Sequence, residues 1–392
     1  MSTQGRTLVF GGLVYDPDAG SRRNADIEIA DGRIVRVQPR LSREGYDARV
    51  DATGLTVSPG LVDFHTHVFA GQDLGVDPDL WGPQNATTTF VDAGSAGAHL
   101  FGAFRRGVID SSASRVVAFL NISSIGTTSI LLSGELRTLA YSDEDACVDC
   151  VEANRDRIVG IKVRASGDVA GDNGATALRR ARRVADRVGL PLMVHVGPKL
   201  PEVDDILGEL RAGDIMTHCC TGLGDNGLAL NGALRPSALD AQQRGVHFDV
   251  GHGMGGFDVT VARSMLAAGI VPSTISTDIH AYSTHTVLSL PSILSKFLAL
   301  GLSLEDVLHR ATLGPARLVG LDREGIGTLR PGAPGDLALL RSISAPTNFV
   351  DTRGHDFTGT ERLETAMTLR AGAVVYNAQP ASPNPTTDGA TP

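Results

Sequence analysis

Pro59-Gly-Leu-Val-Asp-Phe-His-Thr-His67 decides how the rest of the chain is read. A Pro-Gly break followed by Leu61, Val62 and Phe64 reads as the start of a buried strand. His65 and His67 stand two residues apart, so on an extended backbone their side chains point the same way. Two imidazoles on one face at a strand end can grip a metal ion from one side. By itself the pair fits a buried, hydrogen-bonded histidine couple equally well, so its meaning depends on what other strand ends supply.

Downstream, short apolar runs alternate with helical patterns. The runs are 61–64, 87–91, 115–120, 159–163, 190–194, 214–217, 246–250 and 273–277, and amphipathic helices are expected over 175–188 and 259–268. Eight strands at roughly 25–40-residue intervals predict an α/β fold, a parallel (β/α)8 TIM-like barrel over 58–321. A doubly wound open sheet is the competing layout, but no Gly-x-Gly-x-x-Gly follows an early strand. Residues 1–57 alternate in the manner of strands, with Asp31-Gly32 as a hairpin turn between two runs. Similar turn-and-strand patterns return over 322–378, so both termini are expected to share one small β-sandwich domain. The Pro-, Ser- and Thr-rich tail 379–392 is expected to be disordered.

Composition narrows the function. The chain has 392 residues, 42% hydrophobic and 20% charged, as in ordinary globular proteins. A net charge of -9 and 5% aromatic residues argue against a nucleic-acid or anionic-membrane partner. With no apolar leader and no bilayer-length apolar run, a cytoplasmic protein is expected. Cys147 and Cys150 fall in Ser142-Asp-Glu-Asp-Ala-Cys-Val-Asp-Cys, an N-capped helical pattern, and no second Cys-x-x-Cys supplies a zinc ribbon.

Barrel chemistry sits at the C-terminal ends of strands, and here those ends carry ligand-type residues. His65 and His67 close the first run, Lys162 lies in the fourth, His195 closes the fifth, His218 the sixth and Asp278 the eighth. A capping Asp, a snorkelling Lys and core histidines explain each position singly; together they read as a metal centre. Cys219 and Cys220 read as packing neighbours of His218. Arg164, on the same side of its strand as Lys162, suits a substrate carboxylate or a rim ion pair. His252, in the Gly-rich loop after the seventh run, with His280 and Asn121, is a further candidate for substrate contact.

The phrases Pro-Gly-Leu-Val-Asp-Phe-His-Thr-His, Val91-Asp-Ala-Gly-Ser-Ala-Gly, Gly160-Ile-Lys-Val-Arg-Ala-Ser and Ser276-Thr-Asp-Ile-His280 resemble the amidohydrolase superfamily, in its deacetylase and dihydroorotase-like branch. The resemblance spans nearly the whole chain. It implies two divalent metal ions, zinc by donor type, bridged by a Lys162 carboxylated to a carbamate. His65, His67 and Asp278 would hold one ion, His195 and His218 the other. It further implies a metal-activated hydroxide attacking a carbonyl, with Asp278 moving the proton. The implied substrate is a small molecule, an N-acetyl or O-acetyl carboxylic acid; the alternative is ring opening of a cyclic amide of dihydroorotase type. A non-catalytic barrel scaffold is a third reading, disfavoured because all six ligand positions are present. Homo-oligomers are common among similar barrels.

Overall fold

A computed structural model describes residues 5–224, 226–230 and 232–378; the expected disordered tail lies outside the described residues. Seven parallel strands, Leu61–Thr66, Thr87–Gly97, Arg115–Asn121, Ile158–Arg164, Leu192–His195, Ile215–Thr217 and His247–Phe248, pair in sequence order into one curled sheet. Helices or helical turns follow the strands, including Gly174–Val188 and Val259–Ala267 where the apolar periodicity placed them. The expected eighth run is not a regular strand. Residues 273–279 instead hydrogen-bond to both edges of the sheet: Val250 N donates to Thr274 O (3.2 Å), and His67 N donates to Ile279 O (2.9 Å). Isolated bridges pair Asp249 with Thr274 and Thr66 with Ile279.

The strands read as near-continuous apolar runs because both faces are covered. All eleven residues of Thr87–Gly97 are buried. Val62, Phe64, Val91, Ala93, Phe119, Met193 and Ile215 fill the inside of the curl, where they meet Ala316, Leu321 and Ile326 from the segment after the last turn. Leu61, Leu120 and Val194 pack on the outside with the helices. Burying an aliphatic or aromatic side chain of this kind is worth about 1.5–3 kcal/mol. The pairing of the first two strands slips between Asp63 and Thr66. Past that slip, the side chains offered to the mouth are His65 and His67 rather than more of the Val62–Phe64 face.

Both termini meet in a single hydrogen-bonded mixed sheet of eight strands. Thr56–Pro59 is its joint, parallel to Arg6–Asp16 on one side and antiparallel to Leu337–Val350 on the other. Val9, Ile27, Ile29, Val57, Leu337, Leu339 and Leu369 form its apolar core. Asp31 and Gly32, with φ of 50° and 75°, make the turn expected between Ser21–Ala30 and Arg33–Gln38. Glu144–Ala153 is the expected Cys147/Cys150 helix, capped by Asp143, whose side chain accepts from Ala146 N. Among the described residues, no helix is long and apolar enough to cross a membrane.

Gly160 shows how tightly the interior is packed. A Cβ there would stand 2.2 Å from Phe119 Cε1 and 2.9 Å from Pro191 O. Gly160→Ala should destabilise the protein by about 1–3 kcal/mol through overpacking, read as a lower urea midpoint at unchanged slope.

Candidate metal centre

Imidazoles from three strand ends gather at one mouth. The His65 ring lies 5.7 Å from that of His67 and 5.0 Å from that of His218, which stands 4.5 Å from His195. Asp278 Oδ1 lies 3.4 Å from Nε2 of both His65 and His67, and one ligand atom from each of the three falls within 4.8 Å of the others. Lys162 is buried beside them, its Nζ 3.4 Å from Met193 Sδ.

The hydrogen bonds fix which nitrogen each ring offers. Thr217 Oγ1 donates to Asp249 Oδ2 (2.7 Å), so it accepts from His65 Nδ1 (2.7 Å). Ser95 Oγ donates to Asp92 Oδ2 (2.7 Å), so it accepts from His67 Nδ1 (2.8 Å). His218 Nδ1 donates to Gly251 O (2.8 Å). All three rings therefore carry hydrogen on Nδ1 and turn an Nε2 lone pair outward, the tautomer a metal ion requires. With Asp278 beside them, this donor set fits a divalent metal ion.

Two of these positions are strained. His218 and Asp278 have φ of 59° and 49°, a region that costs a non-glycine residue about 1–3 kcal/mol. Glycines give the ligands room: a Cβ on Gly94 would stand 2.7 Å from Lys162 Cγ, and one on Gly253 would stand 2.2 Å from Asp278 Oδ2.

Burial sets the protonation states. It holds His65 and His195 well below the ordinary histidine value, His67 down to about 3 and His218 to about 4. It also lowers Lys162 to about 7, so a neutral amine is available at physiological pH.

The remaining sequence candidates divide. Arg164 is buried; its Nη2 donates to Ser133 Oγ (3.1 Å) and its Nη1 lies 3.5 Å from Glu135 Oε1, a rim ion pair. Its Nε and Nη1 have no hydrogen-bond partner among the described residues. His280 is buried near the cluster, 6.2 Å from the His67 ring, with Nδ1 accepting from Tyr282 N. Asn121 and His252 have their polar atoms engaged within the fold. Asn121 Nδ2 donates to Gly94 O and Thr127 Oγ1 while its Oδ1 accepts from Ser123 N. His252 Nδ1 bonds Gly253 O and its Nε2 faces Lys296 Nζ at 2.8 Å. Sequence reasoning missed Asp249, Asp92, Ser95 and Thr217, which orient the rings. Asp249 and Asp92 are fully buried acids, one inside the 246–250 run and the other directly after the 87–91 run, and that placement was the available signal. A second grouping, Asp258, Asp351 and His355, fits a metal poorly: Asp351 already accepts from Val259 N, Arg353 N, His355 N and His355 Nδ1.

The amidohydrolase family model matches residues 56–375. A deacetylase of Agrobacterium fabrum is 35% identical over 337 residues, 85% of this chain and 82% of that protein. A crystal structure of a dihydroorotase superposes with a TM-score of 0.88 at 31% identity, covering 95% of this chain and 98% of that one. A crystal structure of an adenine deaminase gives 0.87 at 28% identity, covering 95% and 99%.

The buried rings make the metal-free protein sensitive to acid. Unfolded imidazoles protonate near 6.5, whereas His65, His67, His195, His218, His252 and His280 resist until far lower pH. Below about 6.5 the unfolded chain thus binds more protons, and stability is lost on acidification. Asp63, raised to about 7 by burial, and Asp249, also raised, act in the opposite sense, but six imidazoles outweigh two carboxylates. Thermal unfolding of chelator-treated protein should show Tm falling from pH 7 to pH 5; a rise would reverse that balance.

Proposed function

Because the chain belongs to the amidohydrolase family, we propose that this hydrolase is a metal-dependent deacetylase. It would remove an N-acetyl or O-acetyl group from a small carboxylic acid. The observation that carries this reading is the convergence of tautomer-fixed imidazoles with Asp278 at one mouth. The division into a working (β/α)8 barrel over 58–321, completed by 273–279, and a terminal β domain from 1–57 and 322–378 belongs to the same proposal.

His65, His67 and Asp278 would hold one ion, and His195 and His218 the other. Lys162, kept near neutrality by burial, would link them as a carbamate: its nitrogen bonds the carbon of carbon dioxide and loses a proton. That conversion replaces an amine, whose protonated form would repel the metals, with a two-oxygen anion. Bound divalent ions, zinc by donor type, supply an acidified water and polarise the acyl carbonyl. Asp278 takes the proton at its carboxylate and returns it to the leaving group. The unfilled donors of Arg164 suit the substrate carboxylate, and His280 stands beside the same mouth. The dihydroorotase likeness favours a second reading, opening of a cyclic amide.

A panel of N- and O-acetylated acids run beside cyclic amides, with products weighed by mass spectrometry, separates the two. Acetate release is expected, and ring opening alone would overturn the deacetylase reading. Asp278→Asn should lower turnover by orders of magnitude while most metal stays bound; wild-type-like turnover would remove Asp278 from proton transfer.

Arg164→Ala should raise KM for acidic substrates roughly 10-fold or more, the worth of one charged hydrogen bond, and leave neutral analogues unchanged. An equal rise for both classes would leave Arg164 as a partner of Glu135 only.

A further inference from the structure

The chain contains three lysines, Lys162, Lys199 and Lys296, against 32 arginines. Lys199 is exposed, but Lys296 is 7% exposed, on helix Leu290–Ala299. Its Nζ donates to Val350 O and to His252 Nε2, each at 2.8 Å. An ammonium has three hydrogens in divergent directions. Those two bonds leave the third with no nitrogen or oxygen acceptor among the described residues; the Phe257 ring centroid is 5.3 Å away. Burial lowers Lys296 to about 8, which keeps it cationic at neutral pH.

Lys296 and His252 stand in the wall of a cavity of about 450 Å³, within the range of small-molecule sites. The cavity lies between this helix, the loop after 273–279 and the tip of the hairpin formed by Leu337–Val350 and Asp356–Arg370. Leu288, Phe349 and Leu363 give it apolar walls, and Arg362, ion-paired with Glu364 at 3.1 Å, also lines it. Asp351 also lines it, with both oxygens already accepting from the backbone and His355.

We propose that this cavity is a second ligand site, taking a small organic carboxylate with an aromatic or branched apolar body. The carboxylate accepts the third Lys296 hydrogen, and the body lies against Phe349, Leu363 and Leu288. The site does not rest on the hydrolytic reading of the mouth. It is joined to the mouth by one loop: His252 faces the cavity, while Gly251 O accepts from His218 Nδ1 and Gly253 packs on Asp278.

Three lysines make the test direct. Full-length, metal-loaded protein labelled with ¹³C at lysine Cε gives three resonances, assigned by Lys199→Arg, by Lys296→Arg and by the response of Lys162 to metal removal. Titration with benzoate should move the Lys296 resonance saturably and leave Lys199 in place. Calorimetry should show benzoate binding weakened roughly 10-fold or more in Lys296→Met, and benzyl alcohol, which lacks the charge, binding more weakly than benzoate. A Lys296 resonance that stays still, whether benzoate moves Lys162 alone or nothing at all, overturns the proposal. The wild-type titration decides even if the Lys296 variants fail to fold, because Lys199→Arg and metal removal complete the assignment.

Discussion

The mouth is held together by the carboxylate of Asp249. It accepts from Thr217 Oγ1 (2.7 Å), Thr274 Oγ1 (2.6 Å) and Ser276 Oγ (2.6 Å), and it lies 3.3 Å from His65 Nδ1. Those partners come from the first strand, the sixth strand and the 273–279 segment, so one buried acid ties both edges of the parallel sheet to the stretch between them. A buried carboxylate without such bonds would be far too costly to keep. With them, it fixes the His65 tautomer through Thr217 and anchors a segment that has little strand pairing of its own. Asp63 does the same for Asp278 from the other side, accepting from Thr277 N (2.9 Å) and Thr277 Oγ1 (2.6 Å).

This arrangement keeps the basic groups of the mouth uncharged. Every imidazole there is neutral because hydration of its charged form has been removed, and the same loss brings Lys162 toward neutrality. The left-handed backbone at His218 and Asp278 is local strain that the surrounding hydrogen bonds sustain. Gly251, Gly253 and Gly94 leave room for neighbouring side chains where a methyl group would collide with His218, Asp278 and Lys162 atoms respectively. Stability has been exchanged here for a preorganised set of donors.

Much of this was legible in the chain because its signals are local. A Pro-Gly break before Leu61, the spacing of His65 and His67, the apolar periodicity of Gly174–Val188 and the Asp31-Gly32 turn each need only a few neighbouring residues. What escaped reading depends on distance. Thr217 lies 152 positions from His65, and Asp249 lies 184 positions from it. Nothing near Asn121 says that its amide will be consumed by Gly94 and Thr127, and nothing near His252 announces Lys296. The apolar composition of 273–277 predicts a strand, but its hydrogen bonds are divided between two edges and mostly broken into single bridges. The buried acids could have been suspected, since Asp63 and Asp249 each interrupt an apolar run and Asp92 directly follows one.

The joint at Thr56–Pro59 has a consequence for how the molecule is made. Its neighbour on one side, Arg6–Asp16, leaves the ribosome early, whereas its neighbour on the other, Leu337–Val350, is translated only after the whole parallel sheet. Until then the strand that leads directly into the His65 segment has one open edge, and contacts spanning some 280 residues cannot form. Closing that edge must therefore wait for synthesis of residues 337–350.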